Sequence, residues 1–348
     1  MKKVRIAVFG LNHGYKFAKD AKGLPEVELV ATAGFGELAD NRAKELDVPL
    51  YSDFNDLVEK CDIDGAIVAL PNNLHLPAAK VCAANGVSVL VEKPIASTIE
   101  DAEHIVAICK KNNVKLLVGQ AHRFSGKLRK LRELVVSGFL GDIVGVHMLC
   151  VAAKDQDYFK EKWRVSPGGG PLLINGIHDL DGLRFITGQE FSSVYAAARS
   201  SIRNNPVEDS ASVVLESAGG LTATYFISDG VPSPWFYEFN TKEYILYEKY
   251  NENCYYVFGT KASVSFPDLM VWYYDDSKYG WNYRLQTQKH EVPPVDPLME
   301  ELKHFIAVLR GTEEPFVTGE DGTETLRLMQ AIVKSAETGE KVKVQEIQ

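Results

Sequence analysis

Val4-Arg5-Ile6-Ala7-Val8-Phe9-Gly10-Leu11-Asn12-His13-Gly14-Tyr15 decides the fold class of this chain. A short, mostly apolar run ends in a glycine, and a polar turn leads into the next amphipathic stretch. A strand that passes through a tight glycine turn into a helix N-terminus brings unpaired backbone N–H groups and the positive end of the helix dipole to one point. That point is an anion site. The dinucleotide-binding fingerprint is GxGxxG. Gly10 fills its first place, Asn12 stands at the second and Tyr15 at the third. Asparagine tolerates positive φ better than most residues, and Gly14 adds room beside it. Taken alone, the turn fits an ordinary strand-to-helix connection equally well.

Strand-like runs over 4–9, 27–33, 63–70, 88–91 and 115–119 alternate with helical periodicity over 15–22, 38–46, 76–85 and 98–112. This alternation predicts βαβ units, right-handed crossovers and a doubly wound parallel sheet with its ligand edge at the strands' C-terminal ends. After about residue 120 the pattern changes. Helices are expected over 127–137 and 180–186, and strands over 143–153, 193–197, 210–216, 221–227, 244–250, 254–258 and 263–266. Helices follow over 297–309 and 323–338. The expected architecture is α/β. A Rossmann domain spans 1–122, and a C-terminal α+β domain with a large, mostly antiparallel open sheet spans 123–348.

With 348 residues, 45% hydrophobic and 24% charged, the chain has ordinary globular composition and enough length for two cores. Its five cysteines are scattered and form no CxxC pair, which argues against a disulfide framework and a zinc site. No metal ligand set is expected. The net charge of −9 disfavours nucleic acid and anionic membranes as partners. No apolar run reaches the roughly 20 residues of a membrane span, and no signal peptide is evident, so the expected location is the cytoplasm.

A second test of the phosphate turn lies at the end of the second strand, where an acid usually holds the ribose of NAD. Gly34 occupies that place, and Glu37 is the next acid. Without a carboxylate, a 2′-phosphate meets no repulsion, and no arginine follows at once to clamp it. The cofactor is therefore NAD or NADP.

Leu90-Val91-Glu92-Lys93-Pro94 closes an expected buried strand with two charges. Pro94 pushes Lys93 toward an extended backbone, through a trans or a cis bond. Charged residues at such an edge serve a site or simply solvate the strand end. Ala69-Leu70-Pro71-Asn72-Asn73-Leu74-His75 precedes this stretch. Gly168-Gly169-Gly170 and Gly176-Ile177-His178-Asp179-Leu180-Asp181 follow it.

This ordered set resembles the glucose–fructose oxidoreductase, inositol dehydrogenase and rhizopine catabolism (Gfo/Idh/MocA) family over nearly the whole chain. The resemblance implies an NAD(P)-dependent dehydrogenase or reductase acting on CH–OH groups. It would transfer a hydride between nicotinamide and a carbinol carbon of a sugar, polyol or related compound. Lys93 matches the family's catalytic lysine and His178 its acid–base histidine. Gly10, Asn12, His13, Gly14, Pro71, Asn72, His75, Glu92, Lys93 and Pro94 are the expected cofactor-side residues. Lys93, Asn175, His178 and Asp181 are expected to face the substrate, with Asp181 orienting the imidazole from three residues along the helix. Trp163 and Arg164 resemble a Trp-Arg pair near the cofactor, and Arg123 is expected at substrate, cofactor or an ion pair. The family's Asp one helical turn before the histidine is Ile174 here, with Asn175 beside it.

Relatives of this kind also include cofactor-retaining glycosidases, and a non-catalytic NAD(P)-binding regulatory protein would carry a similar fold. A homo-oligomer, dimer or tetramer, is expected to cover the open sheet, with Trp272, Tyr273 and Tyr274 on the covered face.

Overall fold

The structure, a computed structural model, describes residues 2–275 and 277–347. The chain folds as two compact units, Met1–Ala121 with Leu298–Leu326, and His122–Pro297 with Arg327–Gln348.

The first unit begins with β1 (Val4–Phe9), α1 (Gly14–Gly23), β2 (Val27–Ala33), α2 (Glu37–Leu46), β3 (Leu50–Tyr51) and α3 (Phe54–Lys60). It continues with β4 (Gly65–Val68), α4 (His75–Ala84), β5 (Ser88–Glu92), α5 (Ile99–Lys111) and β6 (Leu116–Gly119). The strands run parallel in the order β3-β2-β1-β4-β5-β6. That order is the doubly wound one, and it reverses between β1 and β4, opening a crevice at their C-terminal ends. Ile6, Ala7, Val8 and Phe9 are all fully buried, as a strand covered on both faces requires. α5 follows from its ends. Thr98 accepts from the Asp101 N–H, Glu100 and Asp101 sit in the first turn, and Lys110 and Lys111 in the last.

The strand expected over 63–70 is shorter, Gly65–Val68. β3 and α3 have too few residues to show periodicity. β3 pairs only through Thr32 with Leu50 and Ala33 with Tyr51, and α3 is started by Asp53, which accepts from Asn55 N–H.

The second unit contains α6 (Gly126–Val136), β7 (Ile143–Val151), α7 (Ile177–Thr187), β8 (Phe191–Arg199), β9 (Ser210–Ser217) and β10 (Thr222–Ser228). There follow α8 (Tyr237–Thr241), β11 (Tyr255–Gly259), β12 (Ala262–Phe266), β13 (Met270–Tyr273) and β14 (Gln286–Lys289). The sheet order is β14-β13-β12-β11-β7-β10-β9-β8-β15, with β15 (Val342–Lys343) at the far edge. β7 and β10 pair in parallel and the other neighbours are antiparallel.

The expected strand over 244–250 is not formed. The chain leaves α8 through Lys242 at φ 65 and turns, with Ile245 and Leu246 exposed. Tyr244, Tyr247 and Tyr250 pack on Tyr237, Phe236 and Phe239. Tyr244, Tyr247 and Tyr250 recur every third residue, and their rings are satisfied by aromatic packing rather than by a ladder.

Two helices follow the sheet, α9 (Pro297–Leu309) and α10 (Gly319–Thr338). Leu302, Phe305, Ile306 and Val308 of α9 join the first unit's core with Ile6, Val8, Ile67 and Leu90. Each fully buried side chain of this size contributes about 1.5–3 kcal/mol. Gly65 makes the approach possible, since a Cβ there would stand 2.7 Å from Leu309 and 2.9 Å from Phe305. Among the described residues, no helix is long and apolar enough to cross a membrane.

Candidate functional site

In the first unit, β1 delivers the chain to Gly10 at φ +87, a conformation that side chains rarely adopt. A Cβ at Gly10 would meet the Ala69 carbonyl oxygen at 2.2 Å, so the turn lies directly on the segment after β4. α1 starts at Gly14 with no side-chain cap. Its first N–H groups are therefore left for an anion. Gly14 is tight as well, 2.7 Å from Val8 in the same test. Tyr15, at the third fingerprint place, lies under the Arg42 guanidinium at 4.6 Å. Arg42 also donates to the carbonyls of Leu11 and Asn12, the latter at 3.1 Å. Tyr15 thus carries the brace of the turn. Arg42 was missed in the sequence because it sits on α2, far from the motif.

Glu92 ends β5 and is 6% exposed, so its charge needs a partner. His13 Nε2 lies 3.3 Å from Glu92 Oε1, and the Lys93 N–H donates to Glu92 Oε2 at 3.2 Å. Glu92 holds the His13 imidazolium, raising its pKa above the usual histidine range. Burial opposes ionisation of Glu92, but His13 and Lys93 outweigh it and hold the carboxyl below its usual range. Gly119 of β6 leaves the space, since a Cβ there would be 3.0 Å from the Glu92 carboxyl carbon.

The Lys93-Pro94 peptide is cis, and Lys93 is half-buried. His75 is fully buried, with Nε2 2.9 Å from the Leu70 carbonyl and Nδ1 3.0 Å from that of Pro94. Burial lowers its pKa, so the ring carries a single N–H, donates to one of these carbonyls and packs against the other. It pins the segment after β4 to the segment after β5. Pro71 is exposed and Asn72 half-buried at the start of the short turn Asn72–Leu74. Gly34 follows β2 with Phe35 82% exposed beside it, so the end of β2 carries no carboxylate. The cradle at Gly10, the uncapped helix and the His13 cation together fit a dinucleotide's phosphates.

In the second unit, the segment Leu172–Gly176 winds as a π-helix directly into α7. Asn175 Oδ1 accepts from Lys154 Nζ at 2.8 Å. Lys154 also stands 4.4 Å over the Tyr158 ring, whose face Arg164 covers at 3.8 Å. Trp163 is 52% exposed. His178 is half-buried near the start of α7. Asp181 is fully buried and takes a two-pronged bond from Arg123, Nε to Oδ2 at 2.7 Å and NH2 to Oδ1 at 2.8 Å. The fork match of guanidinium and carboxylate explains the choice. Arg123 is thereby placed in an ion pair, and both Asp181 oxygens lie on it.

Sequence reasoning missed the groups around His178. His122 stacks on His178 with ring centroids 4.6 Å apart. Asp179, 2% exposed, accepts from Tyr225 OH at 2.6 Å and from Tyr255 OH. Burial pushes its carboxyl up to about 6. The motif marked residue 179 but not its partners, which come from β10 and β11.

The family model described as "Oxidoreductase family, NAD-binding Rossmann fold" matches residues 4–120, and "GFO/IDH/MocA C-terminal domain" matches residues 128–265. Myo-inositol 2-dehydrogenase of Thermotoga maritima is 28% identical over 99% of this chain and 99% of its own. D-xylose 1-dehydrogenase [NADP(+)] of Haloarcula marismortui is 23% identical, covering 94% of this chain and 88% of its own. The crystal structure of scyllo-inositol dehydrogenase from Lactobacillus casei, with NAD(H) and scyllo-inositol bound, superposes with a TM-score of 0.79. It is 21% identical and covers 99% of this chain and 100% of that one, a likeness of fold.

Proposed function

Because the chain belongs to the GFO/IDH/MocA oxidoreductase family and is an NAD(P)-dependent oxidoreductase, we propose that it oxidises or reduces a sugar, polyol or related compound at a carbinol carbon. In the oxidative direction the C–H bond breaks with its electron pair, which passes to the nicotinamide, while the O–H proton passes to the protein. The bound cofactor supplies the hydride acceptor or donor. Lys93 stabilises negative charge growing on the reacting oxygen, and His178 takes the proton as a general base. Asn175 hydrogen-bonds substrate hydroxyls.

The observation that carries this reading is at the end of β5. Lys93 follows Glu92, whose carboxylate lies 3.3 Å from His13 Nε2 of the turn after β1. The relatives' names supply the substrate class, inositol in one and xylose in another. Cofactor reduction assayed with NAD and NADP across inositols, aldoses and sugar acids tests it. A substrate-dependent signal that Lys93→Ala loses supports the assignment. A signal that Lys93→Ala retains overturns the role of Lys93.

The same reading includes a homo-oligomer formed through the open sheet. Val144, Tyr195, Val214, Phe258 and Trp272 lie on strands of that sheet and are each more than 40% exposed. A second copy covering them buries apolar surface that water otherwise touches. A monomer mass in light scattering at micromolar concentration contradicts it.

A further inference from the structure

α7 carries His178, and two sets of contacts within the second unit act on that part of the helix. The first is Asp179. Its carboxylate is bonded to Tyr225 OH on β10 at 2.6 Å and to Tyr255 OH on β11, which fastens the backbone next to His178 to the sheet. The second acts on the ring. The His122 imidazole lies against the His178 imidazole with centroids 4.6 Å apart and planes 26° apart.

His122 is itself held on several sides. It is 3% exposed. Tyr237 covers it with centroids 3.8 Å apart and planes 13° apart. Glu238 Oε1 lies 3.5 Å from its Nε2. Tyr244 meets it edge-on at 6.0 Å. These partners come from α8 and the turn after it, while His122 belongs to the short turn Ala121–Phe124. Three separate chain segments thus converge on a stack in the order Tyr237, His122, His178.

The consequence concerns rotation. The second side-chain torsion of a histidine is broad and roughly two-fold, so a backbone and a rotamer alone leave the ring plane loosely set. A flat neighbour in van der Waals contact restricts that plane, and ring pairs at this spacing attract. We propose that His122 is a positioning residue that fixes the plane of the His178 imidazole, and that Tyr237 and Glu238 hold His122 for that task. His122 needs no contact with substrate. The inference deepens the proposed function and rests on its assignment of proton transfer to His178. A base whose proton-accepting nitrogen wanders by about 1 Å loses on the order of 100-fold in rate.

The test uses the full-length protein. His122→Ala removes the ring, His122→Leu keeps volume without a flat face, and His122→Phe keeps the face without the nitrogens. Turnover is measured on whichever inositol, aldose or sugar acid gives the strongest Lys93-dependent cofactor reduction. Cofactor affinity is measured by calorimetry, and folding is checked by near-UV circular dichroism. His122→Ala and His122→Leu are expected to lose roughly 10- to 100-fold in kcat. Substrate KM and cofactor Kd stay within about twofold, and His122→Phe recovers to within about threefold of the parent, as retained ring packing requires.

A spectroscopic arm needs no substrate. The His178 ring proton, followed in histidine-labelled protein and assigned by its loss in His178→Asn, is expected to keep its ring-current shift in His122→Phe. It is expected to lose that shift in His122→Leu. A folded His122→Leu with parental kcat overturns the proposal, as does His122→Phe no better than His122→Leu, or a His178 signal unmoved by either change. Parental turnover in His178→Asn overturns instead the assignment of His178, while the spectroscopic arm still decides whether the stack orients the ring.

Discussion

His13 Nε2 stands 3.3 Å from Glu92 Oε1, so the phosphate turn of β1 is tied by a charge pair to the residue that precedes Lys93. Glu92 is buried and His13 is 55% exposed on its side chain. The pair therefore presents its positive member outward from the turn.

With His13 facing the cofactor as proposed, this pair is expected to make cofactor affinity depend on pH. The pKa of His13 is raised by Glu92. The imidazolium, and the stability it adds, are present below the unfolded value of about 6.5 and are lost as pH rises through the higher folded value. Cofactor is expected to bind more tightly at pH 6 than at pH 9, by roughly fivefold, the worth of an exposed ion pair. Calorimetry on His13→Gln should give a flat profile over that window. A parental slope in the variant contradicts the assignment.

Gly10 tests the turn itself. Its φ of +87 and the 2.2 Å approach of a Cβ to the Ala69 carbonyl leave no room for a side chain. Gly10→Ala is expected to cost about 1–3 kcal/mol of stability and to weaken cofactor binding beyond calorimetric detection. Denaturant unfolding and titration of the folded variant check both parts, and parental binding by Gly10→Ala refutes the cradle.

Asp179 sets a stability window. Burial raises its pKa from 3.8 to about 6. Below about pH 3 both folded and unfolded chains are protonated, and its contribution is complete. Between about pH 3 and 7 the unfolded chain ionises first, so stability falls as pH rises, by on the order of 3 kcal/mol. Asp179→Asn is expected to remove that fall in urea unfolding at pH 4.5 and 6.5. An undiminished fall in the variant locates the titration elsewhere.

Arg123 and Asp181 form a buried fork. Asp181→Asn leaves the guanidinium without its counter-charge and is expected to cost about 3–5 kcal/mol. Arg123→Lys loses the two-pronged geometry and is expected to fall between the parent and Asp181→Asn. Urea midpoints measure both, and parental stability in Asp181→Asn refutes the structural role.

The parallel sheet was legible because its strands are mostly buried and read as predominantly apolar runs between amphipathic helices. The first, Val4–Phe9, and the second, Val27–Ala33, coincide with their expected limits. The segment 244–250 misled because tyrosine and isoleucine are common strand residues, whereas Tyr244, Tyr247 and Tyr250 recur every third residue and pack on aromatic neighbours. Helix α9 was visible as a helix, but an apolar stripe does not say which core will receive it. Gly65 supplies the missing half of that information from a distant part of the chain. Lys93, His178 and the phosphate turn stood out through local motifs. Arg42, His122 and Lys154 did not, because each acquires its meaning from a partner brought near only by folding.

The central claim, hydride exchange with a carbinol carbon assisted by Lys93, is tested most directly by spectrophotometric cofactor reduction. Parent and Lys93→Ala are compared with NAD and NADP on the panel of inositols, aldoses and sugar acids. The parent is expected to give substrate-dependent reduction and Lys93→Ala at least about 100-fold slower turnover, the scale of a lost proton-handling group, with cofactor binding retained. Equal turnover by parent and Lys93→Ala, or no reduction of either cofactor by a parent protein that binds it, contradicts the account.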